Sequence, residues 1–277
     1  MVNLENVKNS FNIKGEISLL KGGSQQVYKV GDYVLKQVDA TSFEHSDSLK
    51  VINWLGDVLI QQTSNNYRST VMLKNKQEQY VYDEIWTVWN YLEGIHSQNS
   101  DVELCIIAIQ KYHAELAKIE FNDVLNENSS PWGVADKAAW GEKQENIQPQ
   151  LNSLVSKLYK LRQPIFCDKQ QVIHGDLNFE NILIHPKESP AIIDLSPFWG
   201  VAEFALAIYA NFIGPRAGDI KVLKHFEHIK NFDQLLIRAS IRMLIVMSQI
   251  NQLDQWDQSS EKKAAELIIN YVSSKKD

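Results

Sequence analysis

The sequence predicts an α+β fold of two lobes, with a β-rich amino-terminal lobe over residues 1–92 and a mostly helical carboxyl-terminal lobe over residues 93–277. Short β-rich runs separated by turns occupy most of the chain from Gly15 to Tyr91. After Gly94 the apolar residues recur mainly at helical spacing. The length of 277 residues, with 44% hydrophobic and 22% charged residues, fits one or two ordinary globular domains.

A tight hairpin is predicted near the start of the amino-terminal lobe. Two β-rich runs flank the pair Gly31-Asp32, which is a typical hairpin turn sequence. By the two-residue period of a strand, Val34, Lys36 and Val38 share one face of the second run. Lys36 is therefore the candidate functional lysine on this face of the predicted strand.

A helix and further strands complete the predicted amino-terminal lobe. Apolar residues recur at helical spacing between Thr41 and Gln62, and Thr41 followed by Glu44 fits a capping box. Strands are expected around residues 70–74 and 81–89. The lobe is thus predicted to hold one helix among its strands.

The carboxyl-terminal lobe is predicted to combine long helices with three short β-rich runs. No internal repeat and no Ser/Gly linker interrupts it. Helices are expected over 102–119, over 151–161 and from 202 onward, and β-rich runs over 171–174, 182–184 and 191–193.

The charge balance favours a small-molecule partner. The chain has 28 basic and 34 acidic side chains, which gives a net charge of −6 and argues against nucleic-acid or anionic-membrane binding. The first residues lack the features of a signal peptide, and no apolar run is long enough for a membrane span. A cytoplasmic location is therefore expected. The two cysteines, Cys105 and Cys167, have neither zinc-site nor disulfide spacing and are expected to be buried free thiols.

The segment most informative about chemistry is HGDLNFENILI, followed by AIID. It places Asn181 five residues after Asp176 and Asp194 eighteen residues after Asp176. Phosphoryl transfer needs an Asp that accepts the proton of the attacking hydroxyl, and amide and carboxylate oxygens that hold Mg²⁺. Singly, a loop Asp is commonly a turn former and an Asn a cap. The whole string, however, matches H-x-D-x-x-x-x-N between two apolar runs.

This segment resembles the aminoglycoside phosphotransferase and choline kinase group, which has the two-lobe protein-kinase-like fold. The resemblance implies that Asp176 is the catalytic base and that Asn181 and Asp194 are Mg²⁺ ligands. It also implies that His174 supports the loop through hydrogen bonds, which agrees with the alternative view of His174 as a buried core histidine.

The amino-terminal lobe supplies the residues expected to bind nucleotide phosphates. Gly22, Gly23 and Ser24 occupy the place of a glycine-rich loop, although a Gly-Gly pair between strands is often only a turn. Lys36 occupies the place of the lysine in V-A-I-K and is expected to reach the α- and β-phosphates. A solvated strand lysine is the alternative for Lys36. Glu44 is the candidate acidic partner of Lys36, and a capping role with Thr41 stays open.

The run TVWNYLEG resembles the hinge of these kinases. By this resemblance the backbone C=O of Asn90 and the N–H of Leu92 bind adenine. Val27 and Val34 would cover the purine ring from the amino-terminal lobe.

The function implied is transfer of the γ-phosphate of ATP or GTP, with Mg²⁺, to a hydroxyl group of a small molecule. A protein kinase is disfavoured because no A-P-E segment follows Asp194. A nucleotide-binding pseudokinase stays open as an alternative. The acceptor is also open: the sequence has no acid-dense tract of the kind that binds polycationic aminoglycosides, and it departs from D-x-G after Asp194. Aromatic residues in 129–140 and at 198–199 are expected either to contact the acceptor or to pack in the core.

Overall fold

The computed structural model describes residues 4–20, 27–38, 45–59, 63–125, 130–143, 146–167, 169–249 and 258–275. The strands are β1 (Ile17–Leu19), β2 (Val27–Val30), β3 (Tyr33–Gln37), β4 (Thr63–Ser64), β5 (Tyr67–Ser69), β6 (Val81–Tyr82), β7 (Trp86–Asn90), β8 (Ile95–His96), β9 (Gln171–His174), β10 (Ile182–Ile184), β11 (Ala191–Ile192) and β12 (Pro197–Gly200). The α-helices are α1 (Leu4–Phe11), α2 (His45–Val58), α3 (Val102–Leu116), α4 (Pro131–Trp140), α5 (Pro149–Leu161), α6 (Ala202–Ile213), α7 (Phe232–Gln249) and α8 (Gln258–Ser274).

The first sheet has the order β1-β2-β3-β7-β6, and all its neighbouring strands are antiparallel. The predicted hairpin joins β2 to β3, with Val30 opposite Tyr33. Gly31 has a φ of +57°, and a Cβ there would lie 2.7 Å from the Lys14 carbonyl oxygen, so glycine is required. Val7 and Phe11, one helical turn apart on α1, are buried with Val30 and complete a small core.

Two strand predictions in this region need correction. The run 81–89 forms two strands, because Asp83 and Glu84 adopt left-handed φ values of 53° and 55° and make a turn between β6 and β7. The strand expected over 70–74 ends at Ser69 instead, and beyond it Met72 makes an isolated bridge to Trp89. The turn at Asp83 and Glu84 contains no glycine that would have indicated it in the sequence.

The second sheet has the order β4-β5-β11-β10-β8, so it contains strands from both sides of residue 92. Strand β5 pairs in parallel with β11, with Arg68 opposite Ala191 and Ser69 opposite Ile192. Arg68 also forms an ion pair with Glu188 at 2.7 Å, which holds the β10–β11 connection against β5. The division of the chain into lobes at residue 92 stays a prediction, and β5 pairs across it with β11.

The remaining helices form one large core behind this sheet and the β9–β12 pair. Helix α6 is buried on nearly all sides, with Phe204 fully buried, which fits its almost continuous apolar sequence. The predicted helices over 102–119, over 151–161 and from 202 onward are confirmed within the described residues, although strand β12 separates Asp194 from the last group.

The aromatic segment 129–140 is helical from Pro131 onward, as α4. The hydroxyl of Ser130 caps it by accepting a hydrogen bond from the Gly133 N–H at 3.2 Å. Proline at the first helical position suits that position, since its missing N–H has no partner there. Pro131 and Gly133, residue types that argue against a helix in the sequence, therefore lie in the first turn of α4.

The cysteine prediction is correct for Cys105, which is buried, and wrong for Cys167, which is exposed. Neither of the two cysteines forms a disulfide. Among the described helices, none combines the length and the apolar character that crossing a membrane requires.

Candidate active site

The loop over residues 174–181, between β9 and β10, is folded by its own side chains. Asn178 accepts hydrogen bonds from the backbone N–H groups of Glu180 at 2.8 Å and Asn181 at 3.1 Å. This cap starts the short 3₁₀ turn Phe179–Asn181. The turn brings the Asn181 side chain back toward Asp176.

Asp176 and Asn181 are in direct contact. The Asn181 Nδ2 donates to the Asp176 carbonyl oxygen at 2.7 Å and to its Oδ2 at 3.2 Å. Burial raises the pKa of the Asp176 carboxyl, and the nearby Asp194 raises it further, whereas Arg242 and Asn181 oppose this shift. The five-residue spacing of Asp176 and Asn181 in the sequence thus corresponds to direct hydrogen bonds between the two residues.

His174 supports the loop as predicted. It is fully buried, its Nε2–H donates to the Ile193 carbonyl at 3.0 Å, and its Nδ1 accepts from the Asp176 N–H at 3.1 Å. A carbonyl only accepts and an N–H only donates, so these bonds fix the neutral tautomer with the proton on Nε2. Burial lowers the pKa of His174, in agreement with a neutral ring.

A second histidine, His113 on α3, lies behind the first. Its Nε2 accepts from the His174 N–H at 3.1 Å, and its Nδ1–H donates to the Ile109 carbonyl at 2.8 Å. Burial lowers the pKa of His113 to about 4, so this ring is also neutral near pH 7. His113 was not identified from the sequence, because a polar residue within a helical apolar pattern gives no signal of its partner.

Asp194 follows β11 and is joined to the 174–181 loop through the backbone. The Ile193 N–H donates to the Asn181 carbonyl at 3.0 Å, and the Gly175 N–H donates to the Ser196 carbonyl at 2.8 Å. Asp194 has a φ of 59°, an unusual backbone conformation for a residue other than glycine. Such strained residues cluster at functional sites, where the surrounding structure maintains them.

Lys36 on β3 forms an ion pair with Asp194 and so joins the first sheet to the loop after β11. Val27 on β2 lies directly opposite Lys36, and Val34 lies two residues before it, so all three share one face. The structure therefore brings Lys36, Val27 and Val34 together beside Asp194. The predicted residues Gly22, Gly23, Ser24 and Glu44 lie outside the described residues.

The hinge segment comprises the end of β7, including Asn90, and the residues that follow it. Asn90 is held by a reciprocal contact with Val71, whose N–H donates to Asn90 Oδ1 at 2.7 Å and whose carbonyl accepts from the Asn90 N–H at 3.2 Å. The Tyr91 N–H donates to the Asp32 carbonyl at 2.7 Å, and Leu92 beyond it is half-buried. The side-chain role of Asn90 in holding residue 71 was not predicted.

A buried ion pair that the sequence did not reveal lies beside Gly175. Arg242 on α7 donates through Nε to Asp136 Oδ1 on α4 at 2.5 Å, and both side chains are buried. The guanidinium carbon lies 4.5 Å from the centre of the Trp132 ring. Burial raises the pKa of Asp136, and Arg242 opposes that shift. Trp132 thus packs on a charged group near the loop.

The oxygen atoms at this site fit a magnesium ion by their chemistry. Asn181 uses Nδ2 toward Asp176, and no described residue donates a hydrogen bond to its Oδ1. The Asp194 carboxylate is about half exposed. Carboxylate and amide oxygens are the hard ligands that Mg²⁺ prefers.

Comparison with known proteins identifies the fold. No family model matches the sequence, and no curated protein is similar to it in sequence. Among solved structures, a spectinomycin phosphotransferase in complex with ADP and spectinomycin matches with a TM-score of 0.58 at 14% identity, over 98% of this chain and 97% of that chain. An amicoumacin kinase in complex with AMP-PNP, Ca²⁺ and amicoumacin matches with a TM-score of 0.59 at 12% identity, over 98% of this chain and 92% of that chain.

A choline kinase from Streptococcus pneumoniae also matches, with a TM-score of 0.54 at 14% identity over 98% of both chains. The likeness extends over nearly the whole length of all three proteins. The predicted two-lobe α+β fold is therefore confirmed, and the chain has the protein-kinase-like fold of the aminoglycoside phosphotransferases and choline kinases.

Proposed function

We propose that the protein is a small-molecule kinase that transfers the γ-phosphate of ATP or GTP to a hydroxyl group. The observation that carries this proposal is the convergence of Lys36, Asp176, Asn181 and Asp194 where the first sheet meets the 174–181 loop. A nucleotide co-substrate is supported by the solved neighbours with the same fold, which hold ADP or AMP-PNP.

Asp176 is the proposed catalytic base. It accepts the proton of the attacking hydroxyl as the acceptor oxygen bonds to the γ-phosphorus, while the bond from that phosphorus to the β,γ-bridging oxygen breaks. The nucleoside diphosphate leaves with the electron pair of the broken bond. Asn181 and His174 hold the backbone and the carboxylate of Asp176 in position through the hydrogen bonds described above.

Asn181 Oδ1 and the Asp194 carboxylate are the proposed magnesium ligands. When bound, Mg²⁺ neutralises negative charge on the nucleotide phosphates. Lys36 would bind the phosphates on leaving Asp194, because a lysine ammonium acts as a compact point charge for phosphate oxygens.

The remaining nucleotide contacts are proposed by position. Val27 and Val34 would cover the purine from the sheet face that carries Lys36, and the backbone of Asn90 and Leu92 would bind its edge. Residues 1–92 would thus supply most of the nucleotide site, and residues 93–277 the catalytic loop, the metal ligands and the acceptor site.

Thermal unfolding with nucleotides tests this function without knowledge of the acceptor. At a ligand concentration 100 times Kd, binding to the native state stabilises by about 2.7 kcal/mol. For a chain of this size each kcal/mol raises Tm by roughly 2–4 °C. We expect a rise of several degrees with Mg²⁺–ATP or Mg²⁺–GTP, and a smaller rise for Lys36→Ala and Asp194→Ala.

Lys76→Ala, which removes an exposed lysine far from the 174–181 loop in sequence, is the matched control and should keep the full rise. No rise with any nucleotide in the parent protein would contradict the proposed function. Nucleoside diphosphate release in the presence of amino alcohols, sugars, nucleosides and hydroxy acids then tests transfer. A protein that binds nucleotide and transfers to none of these classes would match the pseudokinase alternative.

A further inference from the structure

The Arg242 guanidinium lies against the 174–181 loop with most of its hydrogen-bond donors unused. The residue is 4% exposed, and its Nε donates to Asp136. Within the described residues, Nη1 and Nη2 donate no hydrogen bond. Neither of these nitrogens is among the fully buried polar atoms that lack a partner, so both can still be reached by an acceptor that the described protein does not supply.

The guanidinium is held in a fixed orientation by helix α4. Trp132 stacks on it, and Asp136, one helical turn later, accepts from Nε. A side chain fixed from two sides loses little further freedom on binding, so its fork of donors is pre-organised for a planar or tetrahedral anion.

The free end of Arg242 faces the residue that precedes the proposed catalytic base. A Cβ built on Gly175 would lie 3.3 Å from Arg242 Nη2, closer than ordinary contact. The same Cβ would be 3.5 Å from the Cβ of Phe198. Arg242, Gly175 and Phe198 therefore meet next to Asp176, where the hydroxyl of an acceptor must approach.

The free end of the Arg242 guanidinium suits an anion better than an amine. The Asp136 carboxylate is already paired with Arg242, so it is not available to an ammonium group. An ammonium group in contact with the Arg242 Nη atoms would be repelled by the guanidinium, whereas a carboxylate or phosphate monoester would accept two parallel N–H bonds there.

We propose that Arg242 binds an anionic group of the phosphate acceptor, so that the acceptor is a hydroxyl compound carrying a carboxylate or a phosphate monoester. Arg242 is then a specificity-determining residue at the acceptor site, held by Asp136 and Trp132. This inference rests on the proposed function, because it assigns the acceptor of that same reaction.

Four compounds with a common three-carbon skeleton test the charge of the acceptor: glycerate, glycerol 3-phosphate, glycerol and 3-aminopropane-1,2-diol. Their binding is measured by calorimetry with the protein saturated with Mg²⁺ and AMP-PNP, so that the nucleotide site is filled. Because binding is measured and not phosphate transfer, the position of the reacting hydroxyl group does not affect the result. We expect one of the two anions to bind at least about tenfold more tightly than glycerol, as a charge-assisted hydrogen bond implies. The preferred anion identifies carboxylate or phosphate as the group recognised.

Tighter binding of the aminodiol, or equal or absent binding of all four compounds, would overturn the inference. The double variant Asp136→Asn/Arg242→Gln leaves the net charge of the protein unchanged and should lose the preference for the anion. If that variant does not fold, Arg242→Lys is used, which retains the positive charge and removes the paired N–H donors of the guanidinium. The preference of this variant for the anion over glycerol should also fall, by a smaller factor than in the double variant. An undiminished preference in whichever variant folds would place the anion elsewhere.

The nucleotide melting experiment separates this inference from the proposed function. If the parent protein shows no melting shift with Mg²⁺–nucleotide, the kinase assignment fails. If the shift is present and the anions bind no better than glycerol, only the acceptor assignment fails.

Discussion

Lys36 and Asp194, 158 residues apart in the chain, form an ion pair. Lys36 is the cation proposed to bind phosphate, and Asp194 is the carboxylate proposed to bind the metal, so the ion pair engages both groups. A metal ion and a nucleotide must therefore compete with it, and the two ligands respond differently when Lys36 is removed.

Lys36→Met is expected to raise the affinity for Mn²⁺ alone, because Asp194 loses its competing partner. The increase should be at most about fivefold, since a partly exposed ion pair contributes no more than about 1 kcal/mol. The same substitution should weaken binding of ATP, which loses a cation. Calorimetry with each ligand measures the two effects, with Lys76→Met as the control. Changes of the same sign for both ligands would contradict the competition.

Asp176→Asn is expected to lower turnover by at least about 10²-fold, the lower range for a positioned general base, with nucleotide binding nearly unchanged. Asparagine keeps the size of the side chain and removes its ability to accept the hydroxyl proton. The rate of nucleoside diphosphate release with a working acceptor measures this change. Glu180→Gln, an exposed carboxylate in the same loop, is the control and should retain the parent rate. Turnover within a few-fold of the parent would exclude Asp176 as the base.

The buried imidazole of His113 should make stability depend on pH. Its pKa is lowered to about 4 in the folded protein from 6.5, so the unfolded chain binds the proton more tightly. The free energy of unfolding should therefore fall as the pH decreases from about 6.5 to about 4. One pKa unit corresponds to 1.36 kcal/mol, which gives a loss of up to about 3 kcal/mol from His113.

Urea unfolding at several pH values measures this dependence. His113→Gln keeps an acceptor for the His174 N–H and should flatten the slope over that range. His228→Gln, which replaces an exposed imidazole, should leave the slope unchanged. Equal slopes in all three proteins would show that His113 does not titrate as described.

Gly94→Ala is expected to destabilise the protein by roughly 1–3 kcal/mol, as overpacking does in a tight site. A Cβ at Gly94 would lie 2.8 Å from Leu183 Cβ and 2.9 Å from the Ile184 carbonyl oxygen, which belong to β10. Chemical denaturation measures the loss. Ile95→Ala removes a side chain that is 69% exposed and should change stability little. Equal stability of Gly94→Ala and the parent would show that β10 moves away at no cost.

The parts of the site that the sequence predicts are those set by local patterns. Asp176 and Asn181 meet because a short loop between two strands folds back on its own Asn178 cap. The face that carries Lys36 follows from the strand period and the Gly31 turn. Each of these relations is contained within a few residues of the chain.

The parts that were missed depend on contacts between distant elements. Arg242 and Asp136 come from two helices whose apolar patterns do not indicate which polar residues will face each other. His113 supports His174 from a third helix for the same reason. The pairing of β5 with β11 is equally non-local, since neither strand is long enough to have a distinctive pattern.

The parallel pairing of β5 and β11 also affects how the chain folds during synthesis. The β4–β5 hairpin leaves the ribosome early, yet its partner at Ala191 and Ile192 follows more than a hundred residues later. Until then the outer edge of β5 has unpaired backbone groups, which other chains can bind. The nascent protein is therefore most prone to aggregation before residue 192 emerges, and holdase chaperones that cover this edge should raise its folding yield.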